Sequence, residues 1–386
     1  MLIRKTPLAW LQLTHQRGRL VIATLGIAFA LLLVFVQLGL QGALYESNTV
    51  LQSHLRGDLV MVDTQATALI TLSGFSRRRL YQALAVEGVD SVTPIYFEYH
   101  TLENIDESLT RDLAIYGINP NNSPFDFPDL DRNLHRLRLS DTVLFDRGSI
   151  AEFGTITERL DAGQSVRTEL AGHRINLAAA IDFIGTSFAF DGNVVTSDYT
   201  LFRIFPNITP EIVSIGVITL TDNADPQTVL TQIQQQLPSD IKVVTRQQYV
   251  ELEKDHWRKT TPIGFVFSMG VIVGLMVGVI IVYQILYAEI SDHVPDYALL
   301  KARGYRSRYF LSLVLQESFL LAIAGYIPGF LLSSILYKGI AAATSLPLYM
   351  TLERALWVFV LTIVMCMISG GIAIRKLGEA DPAELF

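Results

Sequence analysis

Stretches free of Asp, Glu, Lys and Arg divide this chain more clearly than any motif does. Four of them are long enough for a helix to cross a bilayer core, which takes about 20 apolar residues. Leu20–Leu44 is uncharged for 25 residues, Thr260–Ala288 for 29, Ser318–Tyr337 for 20 and Ala355–Ile374 for 20. The first is too long for a signal-peptide core and no A-x-A-like cleavage site follows it, so it reads as a retained span. The pattern predicts a cytoplasmic elbow over 1–19, spans at 20–44, 262–288, 309–337 and 355–374, and a large domain over 45–261. Residues 289–308 form one connecting loop, 338–354 another, and 375–386 a tail.

Within 45–261 the patterning is mixed. Segments 45–57 and 247–259 continue the first and second spans as polar, helix-compatible stalks; Tyr249, Leu252 and His256 place an apolar stripe on the second. Asp58–Val62, Val92–Tyr99, Leu113–Ile118 and Val213–Leu220 read as strands, and Ser76–Val86 and Pro226–Leu237 as helices. Thr142–Phe145 and Ile175–Ala189 read as buried β-rich segments. A loop rich in Pro, Asn and Asp over Asn119–Asp131 marks a boundary, predicting a second lobe, roughly 120–212, inserted into the first. The fold class expected is thus an α-helical membrane protein of four spans carrying a large two-lobed α+β domain between the first two.

Composition agrees. Half of the 386 residues are hydrophobic and 17% are charged. Charge sets the orientation: Arg4, Lys5, Arg17 and Arg19 flank the first span, Lys301, Arg303, Arg306 and Arg308 lie in the 289–308 loop, and Arg375 and Lys376 follow the last span. By the positive-inside rule both termini and that loop are expected in the cytoplasm, which puts 45–261 outside the inner membrane. Those residues hold 18 Lys+Arg against 29 Asp+Glu, a net of −11, while the remainder holds 12 against 8, a net of +4. An acidic outer domain and an overall charge of −7 argue against a nucleic-acid partner.

Catalytic chemistry is missing from the sequence. Gly-Lys occurs nowhere, so no Walker loop is present, and no G-x-S-x-G elbow appears. The seven histidines are scattered without metal-ligand spacing, and the single cysteine, Cys366, lies within the fourth apolar run. No catalytic residue, metal site or cofactor is expected on this chain, and energy has to come from a partner.

Three features carry more information. The 289–308 loop offers a short helix capped by Asp296, presenting Leu299 and Leu300, and stopped at Gly304. Such a helix suits an interfacial anchor or a protein-docking knob equally well. Gly270, Gly274 and Gly278 form a doubled small-x₃-small face in the second span, repeated by Gly325 and Gly329 in the third. That face serves packing within the chain or a dimer contact. Glu317, at the border of the third span, is expected to snorkel or to pair with Arg306 or Arg308.

The spans, the loop and the tail resemble the MacB/FtsX superfamily of ABC permeases. Asp296-Tyr-Ala-Leu-Leu-Lys-Ala-Arg-Gly304 is similar to that superfamily's loop motif, with Asp for Glu and Arg303 for the usual Leu. The tail Asp381-Pro-Ala-Glu-Leu385 matches its ending, and Pro7–Gly26 resembles its amphipathic elbow. Leu2–Leu13 and Asp141–Asp146 are similar to cyanobacterial DevC-type permeases. The resemblance implies a mechanotransmission permease. Asp296, Leu299, Leu300, Lys301, Arg303 and Gly304 would then couple to a DevA-like ATPase, the holder of ATP and Mg. Asp381, Pro382 and Leu385 would form a tail contact. It further implies a homodimer, a DevB-like membrane-fusion protein, a TolC-like outer-membrane channel and a lipid or other envelope substrate. The alternative is an FtsX-like transducer that switches an envelope hydrolase or sensor without transport.

Overall fold

The computed structural model describes residues 13, 15, 17–107 and 110–378. The chain divides into two compact units. One comprises Met1–Gly42, Ile263–Ala341 and Leu348–Phe386, the other Ala43–Pro262 and Ala342–Pro347. Among the described residues four helices are long and apolar enough to cross a membrane: Arg17–Ser53, Pro262–Asp292, Arg308–Thr344 and Leu352–Arg375.

The second unit begins within α1 (Arg17–Ser53) and proceeds through β1 (Leu59–Asp63), β2 (Phe75–Ser76), α2 (Arg78–Leu84), β3 (Val89–Glu103) and β4 (Thr110–Ile118). Then come α3 (Pro128–Asn133), β5 (Thr142–Asp146), α4 (Ile156–Asp161), β6 (Val166–Leu170), β7 (His173–Ile181), β8 (Gly192–Ser197) and α5 (Asp198–Ile204). It closes with β9 (Ile212–Val213), β10 (Ile215–Leu220), α6 (Pro226–Gln236), β11 (Ile241–Thr245) and α7 (Arg246–Asp255).

Nine strands form one sheet in the order β11-β1-β10-β3-β4-β8-β5-β7-β6. Its first four are antiparallel, and the path β1-α2-β3, then β10-α6-β11, is the split βαβ–βαβ arrangement. β3 joins two regimes. Up to Ile95 it pairs with β10, and from Tyr96 it pairs with β4. The remaining strands curl back until Leu170 of β6 meets Leu102 of β3, closing a six-stranded ring. The ring therefore starts inside β3, well before the Asn119–Asp131 loop read as a boundary. That loop instead returns toward the end of α1, with Arg56 N donating to Pro124 O at 2.8 Å and Asp126 N to His54 O at 2.7 Å.

Period-two alternation divides the core into two faces. Leu59 and Met61 of β1, Leu113 and Ile115 of β4, and Val143 and Phe145 of β5 belong to one core cluster together with Leu80 of α2 and Ile233 of α6. Their neighbours Val60, Val62, Ala114, Tyr116 and Leu144 point the other way, toward Leu51, Leu55, Phe125, Phe183 and Tyr249. Strands buried on both faces lose the polar alternation that marks a half-exposed strand, which is why Thr142–Phe145 of β5 reads as a buried segment and β8, fully buried but rich in Asn, Thr and Ser, carries no strand pattern in the sequence.

Several predicted elements stop short. β7 ends at Ile181, not Ala189, because the backbone N–H groups of Ile184 and Gly185 leave the ladder for the carboxylate of Asp146, at 3.0 and 2.6 Å. Gly148 N and Asn193 Nδ2 donate to the same carboxylate at 3.0 and 2.9 Å. Val213–Leu220 splits at Ser214, whose hydroxyl accepts from Phe97 N at 2.9 Å. The helix read from Ser76 starts at Arg78, since Phe75–Ser76 pairs with Ile212–Val213.

Asp146 is 1% exposed, and its pKa is raised by burial against those four hydrogen bonds. Asp146→Ala leaves four buried donors without this acceptor and is expected to cost about 3 kcal/mol. Limited proteolysis of the full chain in detergent then cuts first within 182–191; an unchanged cleavage pattern and thermal midpoint would show that the loop is held by other contacts.

Candidate functional site

In the first unit α8 (Pro262–Asp292) runs to the connecting loop, followed by α9 (Val294–Ala302), α10 (Ser307–Thr344) and α11 (Leu352–Gly378). The sequence pattern survives here with longer helices. α10 continues past Lys338 and carries Pro328 inside it. A proline is tolerated in a membrane helix because neighbouring groups satisfy the freed carbonyl.

α8 and α9 are separated at His293, whose N–H donates to Glu289 O at 3.2 Å and Ile290 O at 3.1 Å. α9 begins at Val294, so Asp296 falls within its first turn and is not its cap. Pro295 explains the shift, since its fixed φ and missing N–H suit the first helical turn. The other end forms as expected. Gly304 takes φ +95°, and Tyr305 N donates to Leu300 O at 3.2 Å, a left-handed Schellman-type stop. Tyr297 is buried, its ring 5.2 Å from that of Phe310. Leu299 is 59% exposed, Leu300 half-buried, and Arg303 and Gly304 exposed. α9 thus anchors through an aromatic pair and presents Leu299 outward. Asp296 and Lys301 lie on the same short helix, while Asp381, Pro382 and Leu385 lie outside the described residues.

The glycine faces meet α1. A Cβ on Gly270 would run into Gln37; one on Gly274 would approach Val34 Cγ2 to 3.0 Å; one on Gly278 would strike Met365 and approach Ala30 Cβ to 3.2 Å. From α10, Gly325 faces Ile27, and Gly329 lies against Leu31 Cβ and Ala28 Cα, at 3.1 and 3.3 Å from the place of its missing Cβ. Both faces therefore pack on one helix of the same chain. Polar contacts reinforce the bundle: Ser369 Oγ donates to Val279 O at 3.0 Å, Tyr326 Oη to Ala355 O at 2.8 Å, and Tyr337 Oη to Phe35 O.

Glu317 departs from expectation. It is 0% exposed and neither carboxylate oxygen has a hydrogen-bond partner, so it neither snorkels nor pairs with Arg306 or Arg308. Helical spacing is the reason: Phe310, Val314, Glu317 and Leu321 fall on one buried stripe. The 310–314–317–321 spacing was legible in the sequence as the apolar face on which Glu317 sits.

Residues 268–382 match the family model for the FtsX-like permease C-terminal domain. The matched residues run from within α8 through α9, α10 and α11 and include Leu299, Leu300 and Gly304. Two solved structures resemble the chain: the periplasmic region of MacB from Actinobacillus actinomycetemcomitans, and the extracellular domain of the noncanonic ABC-type transporter YknZ from Gram-positive bacteria. The first shares 9% identity at TM-score 0.36 over 52% of this chain and 93% of its own. The second shares 14% at 0.33 over 49% and 100%. No curated protein matches the sequence.

Gly278→Ile tests the packing of the membrane helices. The added side chain has to displace Met365 and Ala30, at an expected cost of about 1–3 kcal/mol. Gly339→Ile, with nothing within 4 Å of the position of its Cβ, is expected to leave the thermal midpoint of the purified protein unchanged. Equal effects from both substitutions would contradict the close packing of Gly278 against Met365 and Ala30.

Proposed function

We propose that this chain is the permease subunit of an ABC-type export complex of the mechanotransmission kind, hydrolysing no ATP itself. The observation that carries the reading is α9: a short helix after a long membrane helix, anchored by Tyr297 on Phe310 and presenting Leu299 outward, within the FtsX-like stretch. A protruding apolar side chain on a short rigid helix suits a pocket on a partner better than it suits water.

In this reading α9 seats on a cytoplasmic ATPase, both termini lie on that side, and 45–261 stands outside the membrane. ATP-driven closure of the ATPase pushes on α9, and the first two spans carry the movement to the outer domain as rigid elements. That domain, in two lobes, works with a membrane-fusion protein and an outer-membrane channel of the DevB and TolC kinds. Two copies of the permease then drive a lipid or other envelope molecule outward. Outside 45–261 the chain holds twelve Lys and Arg, and the 289–308 loop and both termini carry ten of them, which supports their cytoplasmic placement.

The Leu300→Asp and Leu299→Asp variants are expected to reduce co-purification of an ATPase from native membranes at least tenfold, about 1.4 kcal/mol, while membrane insertion is retained. ATPase recovery at the wild-type level from both variants would refute docking through α9. Recovery of the wild-type chain with an ATPase and an envelope hydrolase or sensor kinase, but no fusion protein, would replace export by signal transduction.

A further inference from the structure

Glu253, on α7, is 2% exposed in the second unit, and its partners are all neutral donors. Gln52 Nε2 and the backbone N–H of Leu69 donate to Oε2, each at 2.8 Å, and Trp257 Nε1 donates to Oε1 at 2.9 Å. The three donors come from three places in the chain: the last turn of α1, the short 3₁₀ turn Leu69–Thr71, and the π-helical turn His256–Thr260 that follows α7. One carboxylate thus ties three segments of this unit together. It also lines a cavity of about 20 Å³, shared with Ser47, Asn48, Tyr116, Ser187 and Asn193, which has room for a single water-sized molecule.

Among the described residues the surroundings supply no compensating cation. From α7 itself Tyr249 faces the carboxylate, its hydroxyl buried without a partner. From β4 comes Tyr116, and beyond Tyr249 lies Asp63 of β1, whose carboxylate is occupied by Gln65 N and Ser73 N, both at 3.0 Å. His256, on the π-turn, holds Thr67 Oγ1 at 3.0 Å through Nδ1, and burial lowers its pKa. Across the cavity Asn193 bonds Asp146, and Lys242 of β11 is committed to Ala66 O at 2.8 Å. An anion with no cation beside it is stabilised only by its three accepted hydrogen bonds, against a large desolvation cost.

Gln52 offers an alternative. Its Oε1 is buried without a partner while its Nε2 serves the carboxylate. Turning the amide about its last torsion presents an acceptor where a donor now stands.

We propose that Glu253 is a proton-binding site whose anion clasps α1, the Leu69–Thr71 turn and the π-turn, and whose neutral acid rewires that clasp through Gln52. Taking one proton from solvent turns the carboxylate into an acid with an O–H donor on Oε2. Gln52 turns its amide so that Oε1 accepts from that O–H, and the carboxyl loses one accepted bond. Burial pushes the Glu253 pKa up to about 7, against the pull of the bonds from Trp257, Leu69 and Gln52, so the exchange falls near neutral pH. The folded protein holds this proton more tightly than an unfolded chain, whose glutamates titrate near 4.5. The contribution of this group to stability is therefore full below about pH 4.5 and is lost as pH rises through about 7.

The test uses the full chain in lipid nanodiscs, with ¹⁵N-labelled tryptophan and the Trp257 resonance assigned by Trp257→Phe. In the wild type the Trp257 indole N–H is expected to move with a single midpoint near 7 between about pH 5 and pH 9. Glu253→Gln removes the midpoint and also removes a protonated-carboxyl band from the infrared difference spectrum. Trp257→Phe takes a donor from the anion, so it shifts the midpoint of that infrared band upward. A wild-type resonance without an inflection overturns the proposal, and that measurement needs no variant to fold. An inflection that persists in Glu253→Gln overturns it too, assigning the titration to another group such as His256. Neither measurement involves an ATPase, so a negative result here leaves the export reading standing, and the reverse.

Discussion

Removing side chains from one line of contact is what allows the helices of the first unit to assemble. Helices in a bilayer gain nothing by leaving lipid for one another, so close van der Waals approach and interhelical hydrogen bonds must hold them. Gly270, Gly274 and Gly278 on one side, and Gly325 and Gly329 on another, give α1 that approach. Ile27, Ala28, Leu31, Val34 and Phe35 of α1 are accordingly buried, with exposures of 0–1%. The other polar contacts fit around this arrangement. Tyr337 reaches the carbonyl of Phe35, and Ser369 bridges two helices through Val279 O. Substituting any one of these five glycines therefore acts on a close contact with α1.

The second unit meets a different constraint. Strands β1, β5 and β8 are buried on both faces, so a buried polar group there needs a partner within the fold. Asp146 and Glu253 are the clearest cases. Each is a buried carboxylate satisfied by neutral donors, Asp146 by three backbone N–H groups and one amide, Glu253 by one backbone N–H, one amide and one indole. Asp146 ends a strand and holds a loop, while Glu253 gathers three segments. Glu317, in the membrane unit, has no such donors. What separates the three acids is the donors the fold sets around each of them.

These contrasts explain which parts of the chain were legible in advance. The four spans could be read because a bilayer excludes charge over a fixed length, a rule that acts on composition alone. Gly304 could be read as a helix stop because only glycine adopts a positive φ without cost, and it does so at +95°. Most strands of the large domain were visible as apolar runs, although their ends were not. The capping role assigned to Asp296 failed because Pro295 moved the helix start forward, a competition between neighbours that a single-residue rule does not weigh.

What the sequence determined by itself, then, is what depends on local composition and backbone freedom: the spans, the charge asymmetry, the short helix after α8 and its glycine stop. The tertiary structure decided what depends on long-range partners. It brought the glycine faces onto α1 and closed a ring of strands from within β3. It buried Glu317 without a partner and surrounded Glu253 with donors from residues 52, 69 and 257. Those donors lie far apart along the chain, so the surroundings of a buried carboxylate exist only once the fold has brought them together.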